Sequence, residues 1–508
     1  MLSIIANEHK SMNTVNVATA WHRLAKLAKK SRVGNTHRNK KTHPTHDVRC
    51  QILERLALEF VDEFDCMNLT NIVWSLAVLE HNFGGGAHVL FLNRACERIV
   101  QSAKSASKQK VYPENDKHVP SAQALSNLLW AFTTMRHTQH AHQIGNLIVE
   151  ITPKLIGSFT VDRKDDRKAS PLNDASQTQK VGGAFVTQTI SNQLWAFGKL
   201  NKHPGDLHMD LLALITSAHI THFKPQELTN IVWAFSVLSH YPGDEALITF
   251  EHEIAMRTER NNFNSQNLST LILALSSFSH DDGAGRASLS KVMKALDCDS
   301  ILNLIPKFNG QDLANAVFGA AQLGGFASAF YEKCWRQMVV YKWPPVDPEV
   351  TNGALMIYNA SLLMDAMAPR VSNTLPPMPS WMSEYAKQLW EQQAESGTVS
   401  EFQRDVSKRL KAINVEHDTE TTTADKQMSM DIYLRQYSTA LECDGPSHFC
   451  VNGNVGRIPL SRNLARDALL NHRGVHAVSV PWDRWATSED DGTCDAWLAS
   501  IVNTVRTK

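Results

Sequence analysis

Self-similarity constrains this chain more than any other property. The phrase Asn68-Leu69-Thr70-Asn71-Ile72-Val73-Trp74 returns as Ala124-Leu125-Ser126-Asn127-Leu128-Leu129-Trp130. It returns again as Thr189-Ile190-Ser191-Asn192-Gln193-Leu194-Trp195 and Glu227-Leu228-Thr229-Asn230-Ile231-Val232-Trp233. Degenerate copies follow at 267–273 and 312–318, a half-copy stands near 350–355, and Val17-Ala18-Thr19-Ala20-Trp21-His22-Arg23-Leu24 looks like one more near the start. The intervals between Asn71, Asn127, Asn192, Asn230, Thr270 and Asn315 are 56, 65, 38, 40 and 45 residues. The shortest define a unit of 38–40. The longer ones contain polar insertions at 102–117 and 162–183, which belong in loops on one edge of a stack.

Each phrase runs on as a helix. Leu69, Val73, Leu76 and Leu79 recur at the spacing of a buried helical face, and Trp74 falls at another angle. A helix apolar over most of its circumference is covered on several sides, as the inner helix of a helical solenoid is. Amphipathic segments such as 50–60 lie between the phrases, so each unit is a helical pair whose core is completed by its neighbours. Asn71, Asn127, Asn192 and Asn230 could face RNA, but the structural reading is preferred, in which each satisfies backbone groups of its own helix start or the adjoining turn. The tryptophans are expected to be core anchors, and base contact is left to variable polar positions on exposed faces.

The 43% hydrophobic and 20% charged fractions are those of a globular chain, and no stretch approaches the ~20 apolar residues of a membrane span. Membrane insertion is not expected. Lys+Arg and Asp+Glu balance at 51 each, but residues 1–50 hold ten Lys/Arg against only Glu8 and Asp47. That basic segment, overlapping the first repeat, suits phosphate contact or organelle targeting, and equally a solvated loop. If the first repeat begins so early, little room remains for a presequence, and the chain start is incomplete or its targeting signal very short. The eight cysteines are scattered with no Cys-x-x-Cys pair, which points away from structural zinc and disulfides and toward a reducing compartment.

The organisation expected is a basic N-terminal segment over 1–50, a repeat array over 51–365, a Pro-rich linker and helix over 366–399, and a small domain over 400–508. Within the last, a helix over 400–413, capped by Ser400, precedes a Thr-rich polar stretch at 415–427. A hairpin follows from 428–434 and 437–445, then a helix at 461–473, a strand at 475–482 and a terminal helix at 494–505, giving a compact α/β domain.

The run Glu442-Cys443-Asp444-Gly445-Pro446-Ser447-His448-Phe449, with Asp431, Gly474 and Val480-Pro481-Trp482-x-x-Trp485 in order, resembles a RAP domain over about 385–508. The repeats, over about 13–365, resemble octotricopeptide repeats, the RNA-binding helical pairs of organelle gene-expression factors. They are related as well to the leucine-rich helical region of FAST-kinase-like mitochondrial proteins. The resemblance implies a mostly α chain, an α-solenoid followed by a small α/β domain similar to restriction-endonuclease-like nucleases. It also implies a role in organellar RNA processing, stability or translation.

Glu442 and Asp444 lie two apart on a strand and so leave the same face, and the hairpin sets Asp431 opposite or diagonal to them. Three such carboxylates could hold Mg²⁺ and activate water on a phosphodiester, with His448 as proton carrier. Restriction-like nucleases carry Glu-x-Lys here, whereas this chain has Asp444 in the lysine's place, which counts against catalysis. A structural alternative gives Asp444-Gly445-Pro446 a turn in which the Asp accepts backbone hydrogen bonds. Arg462, Arg466 and Arg473 share a helix face and, with Arg457, would form a basic ridge for phosphate, or else a solvated face. Trp482 and Trp485 are expected to pack.

Three functions remain open on the sequence. The first is a sequence-selective RNA-binding protein of a mitochondrion or chloroplast, acting on mRNA or rRNA with processing or ribosome-assembly proteins as partners and requiring no cofactor. The second is a Mg²⁺-dependent endoribonuclease using Asp431, Glu442, Asp444 and His448. The third is a protein-binding solenoid scaffold.

Overall fold

The computed structural model describes residues 2–32, 47, 49–84, 86–109, 112–113, 116–155, 187–278, 291–344, 348–395, 399–451, 458–490 and 492–506. The chain is mostly helical with one small sheet near the C-terminus, and it divides into two compact units, Met1–Ala234 and Phe235–Lys508. Arg457 and the insertion read at 162–183 lie outside the described residues.

In the first unit the repeated phrases form inner helices: α1 (Thr14–Arg32), α3 (Cys66–Leu79), α5 (Ala122–Thr134), α7 (Thr187–Lys199) and α9, which begins at Pro225. Helices α1, α3, α5 and α7 pack successively on one another. The segments between phrases form an outer row, with α2 (Cys50–Glu59), α4 (Ala87–Ser107) and α6 (Thr138–Leu155) in contact, followed by α8 (Asp206–Ala218). The repeat carries its own start signal. Asp65 accepts from the Asn68 amide and Ser121 from the Ala124 amide, each six residues before the recurrent Asn. In the second unit Asn264 and Asn309 cap their helices in the same way.

Two expectations for the phrase are corrected. The residue that satisfies a backbone carbonyl is not the Asn but the Ser or Thr just before it. Thr70 donates to Cys66 O at 2.7 Å, Ser126 to Ala122 O at 2.8 Å and Thr229 to Pro225 O at 2.9 Å. Asn192 and Asn230 reach sideways to the neighbouring inner helix instead, Asn192 Nδ2 donating to Asn127 Oδ1 at 3.1 Å and Asn230 Nδ2 to Ser191 Oγ at 3.4 Å. The tryptophans also differ from expectation. Trp21 is fully buried, but Trp74, Trp130, Trp195 and Trp233 are only half-buried. Buried positions in α1 and α3 align at an offset that pairs Trp21 with Val73 and His22 with Trp74. The indole thus sits at the edge of the apolar face rather than at its centre.

The second unit continues with α10 (Asp244–Glu259), α11 (Ser265–Ser276), α12 (Gly310–Gln322), α13 (Ala329–Val340), α14 (Pro348–Met367) and α15 (Ser380–Glu395). Helix α12 packs between α11 and α14. The approach of α11 is close, since a Cβ on Gly319 would stand 2.8 Å from the Leu273 backbone nitrogen.

The C-terminal part of this unit begins with α16 (Glu401–Ala412), whose cap is Ser400, accepting from the Gln403 amide. A four-stranded sheet follows in spatial order β1 (Asp418–Thr422), β2 (Ser429–Leu434), β3 (Thr439–Asp444), β4 (His476–Pro481). Its first two pairings are antiparallel and β3–β4 is parallel, connected through α17 (Ser461–His472). Strand β1 falls in the stretch read as a polar separator. As a half-exposed edge strand of Thr and Glu it lacks the apolar alternation that marks a strand, and its pairing with β2 decides its conformation. Ile432, Leu434, Leu441, Cys443 and Val480 point to one face, packed with Val406 and Leu410 of α16 and with Trp485, Leu498 and Val502 from α18 (Trp482–Asp490) and α19 (Cys494–Arg506). Trp485 packs as expected, whereas Trp482 is exposed. Helix α17 packs on α14 as well as on β4.

Candidate functional site

Period-two alternation decides what the second face of the sheet carries. With Leu441 and Cys443 turned to the core, Glu442 and Asp444 face the other way, and both are almost completely buried. In the β3–β4 register Glu442 lies beside Ser479, so that serine joins the same face. The hairpin brings in Asp431, whose Oδ2 accepts from the Cys443 amide at 2.7 Å. The expected convergence of Asp431, Glu442 and Asp444 is therefore present.

An arginine stands among them. Arg466 Nη1 lies 2.9 Å from Asp444 Oδ1 and 3.2 Å from Glu442 Oε2, while its Nε donates to Asp467 Oδ1 at 2.9 Å. Its side chain is only 16% exposed, so these contacts are made largely away from water. Ser479 Oγ donates to Asp444 Oδ2, and His448 Nδ1 lies 2.9 Å from Asp444 Oδ1. Glu442 Oε1 is buried without a hydrogen-bond partner among the described residues.

Burial is the largest influence on Asp431, Glu442, Asp444, Arg466 and Asp467. It pushes the Glu442 carboxyl up to about 8, with Asp431 and Asp444 adding to the effect and Arg466 opposing it. Burial raises Asp431 and Asp467 as well. It works against ionised Asp444 too, but His448, Arg466 and Ser479 outweigh it and hold that carboxyl at about 2. The guanidinium is held above its ordinary value by Glu442, Asp444 and Asp467, although burial works the other way. The centre is thus an Asp444–Arg466 ion pair beside Glu442, whose burial favours the protonated form.

This arrangement does not fit Mg²⁺. A divalent cation needs several free oxygen ligands carrying net negative charge. Here Nη1 already bridges the two strand carboxyl groups, and one Asp431 oxygen is engaged by backbone. No hydrolytic step through a metal follows from this geometry. The turn alternative is also corrected, since the recorded partners of the Asp444 carboxylate are Arg466, Ser479 and His448 rather than backbone amides.

The arginine ridge is likewise rearranged. Arg462, Arg466 and the C-cap Arg473 do share a face of α17, but Arg466 and Arg473 are turned into protein and only Arg462 is exposed. Arg462 Nη2 donates to the Ser447 carbonyl. Arg473 donates to Asp425 Oδ2 at 2.7 Å, Gln427 Oε1 at 3.0 Å and Leu469 O at 3.0 Å. The sequence spacing located the face but not the acids opposite it. Ser479 and Asp467 were missed in the sequence; the signal available for Ser479 was its place between Val478 and Val480 in a strand.

Comparison with known families bears on the other half of the chain. Residues 190–247 match the family model described as FAST kinase-like protein, subdomain 1. The match begins in the phrase at 189–195 and takes in the whole of the one at 227–233, so it falls on the repeat itself. It supports a FAST-kinase-like relationship for that segment. No curated protein matches the chain.

Proposed function

We propose that this protein binds single-stranded RNA in a mitochondrion or chloroplast and acts in the processing, stability or translation of mRNA or rRNA. The helical repeats lie along the RNA, and the C-terminal RAP-like domain adds contacts or recruits processing or ribosome-assembly proteins. The observation that carries the proposal is the FAST-kinase-like match falling on the repeated helical phrase. Helical-pair repeats suit this task because each pair presents its own side chains to one stretch of a strand.

A metal-dependent endoribonuclease is the second reading, favoured by the convergence of Asp431, Glu442 and Asp444 on one sheet face. Against it stands Arg466, which occupies the position a cation would take. A binding role accommodates that ion pair as the device that fixes α17 to the sheet.

Crosslinking in cells with sequencing of the attached RNA tests the proposal. It predicts enrichment of organellar transcripts or rRNA. Recovery of no RNA above a crosslinking-free control would contradict it.

A further inference from the structure

The half-buried tryptophans of the first unit are not scattered. Each recurrent Asn and the Trp three residues later fall on one narrow strip of the inner-helix surface, where neighbouring turns meet. Four residues before the Asn the same strip begins on an exposed glutamine, Gln123, Gln188 or Gln226, or on exposed Met67. The order Gln–Asn–Trp therefore repeats on α5, α7 and α9, with Met67–Asn71–Trp74 on α3 and Val15–Thr19–His22 on α1.

Contacts run across the strip as well as along it. The rings of Trp130 and Trp195 have centroids 6.3 Å apart, and His22, in the tryptophan position of α1, stands 5.1 Å from Trp74. Asn192 donates to Asn127 between helices, and Gln226 Nε2 donates to Asn230 Oδ1 at 2.9 Å within one. Trp233 lies against Gly198, where a Cβ would stand 2.7 Å from the ring. Lys199 Nζ rests 5.2 Å over the same indole.

The chemistry of the strip is specific. Carboxamides carry both a donor and an acceptor group, and one bond between two of them leaves further capacity on each. Indole edges next to them offer apolar planes. None of the strip positions on α1, α3, α5 and α7 carries a carboxylate, while Lys26 and Lys199 occupy the exposed position seven residues after Thr19 and Asn192. Amides that read base edges, aromatic planes that stack and an absence of negative charge together match unpaired nucleobases on a polyanion.

We infer that this Gln–Asn–Trp strip of residues 1–234 is the surface that takes the bases of single-stranded RNA, tryptophans stacking and amides reading base edges. The inference rests on the RNA-binding function proposed above and adds where, and by which groups, the RNA is held. It also reverses the expectation that the tryptophans serve only as core anchors.

The test uses the full chain and a labelled random-sequence single-stranded RNA pool, with homopolymer RNAs as competitors. The pair Trp130→Ala/Trp195→Ala is expected to weaken binding by about tenfold or more, while Trp130→Phe/Trp195→Phe keeps most of the affinity. The triple Gln123→Ala/Gln188→Ala/Gln226→Ala, at exposed positions, is expected to alter the order of homopolymer competition with helical content unchanged. That triple decides the matter if the tryptophan-to-alanine pair fails to fold. Wild-type binding with all variants equal to wild type overturns the strip and leaves the RNA-binding function standing. Absence of wild-type binding overturns both. Unchanged RNA affinity together with loss of a co-purifying protein overturns the strip in favour of a protein partner.

Discussion

Arg466 Nη1 stands 2.9 Å from Asp444 Oδ1 and 3.2 Å from Glu442 Oε2, so one buried guanidinium holds together the two strand carboxylates that a nuclease would need for metal. Removing it leaves Asp444 charged in the interior with only Ser479 and His448 beside it. Arg466→Ala should therefore destabilise the second unit by about 3–5 kcal/mol. Limited proteolysis with mass mapping of the C-terminal fragment, alongside urea unfolding, checks this. A variant as resistant as wild type would show that the pair is dispensable.

The raised Glu442 carboxyl gives a sign to the pH dependence. Its folded value of about 8 lies above the ordinary value of 4.5, so burial favours the protonated form. The resulting stabilisation is complete below pH about 4.5 and is lost as pH rises toward about 8. Glu442→Gln, which keeps the shape without the titration, should flatten that loss and match or exceed wild type at pH 8. Asp444 works in the opposite direction, contributing above about pH 4 and losing its effect as pH falls toward about 2. Thermal melts of wild type and Glu442→Gln from pH 5 to 8.5 separate the two. Parallel curves would refute the assignment to Glu442.

Gly319 lies where α12 meets α11, and an added Cβ would stand 2.8 Å from Leu273 N and 2.9 Å from Ile272 C. Backbone atoms cannot rotate aside as a side-chain tip does. Gly319→Ala should cost about 1–3 kcal/mol even though alanine is the better helix former. Gly353→Ala, where the nearest atom is Ala314 Cβ at 3.5 Å, should be tolerated. Equal melting temperatures for the two variants would contradict the close approach.

The features legible in the sequence are those that repeat or alternate. The phrase around Asn71 gave the inner helices, and the spacing of Glu442 and Asp444 gave a shared strand face. Strand β1 was not legible because its conformation comes from pairing with β2 rather than from an apolar pattern. The role of Arg466 was also hidden, since one helix face looks equally basic whether water or carboxylates lie opposite it. Trp74 and its counterparts were misjudged for a related reason. Helical spacing ranks positions by angle, but how far the next helix covers an edge position depends on packing that a single sequence does not state.

Binding without cleavage is the most direct measurement. Purified full-length protein would be titrated onto end-labelled single-stranded RNA with Mg²⁺ present, each sample being examined both for complex and for chain length. The predicted result is a complex containing intact RNA, unchanged by Glu442→Gln, with affinity falling as salt rises through the release of counterions from contacted phosphates. Mg²⁺-dependent products that disappear in Glu442→Gln, or the absence of any complex, would contradict it.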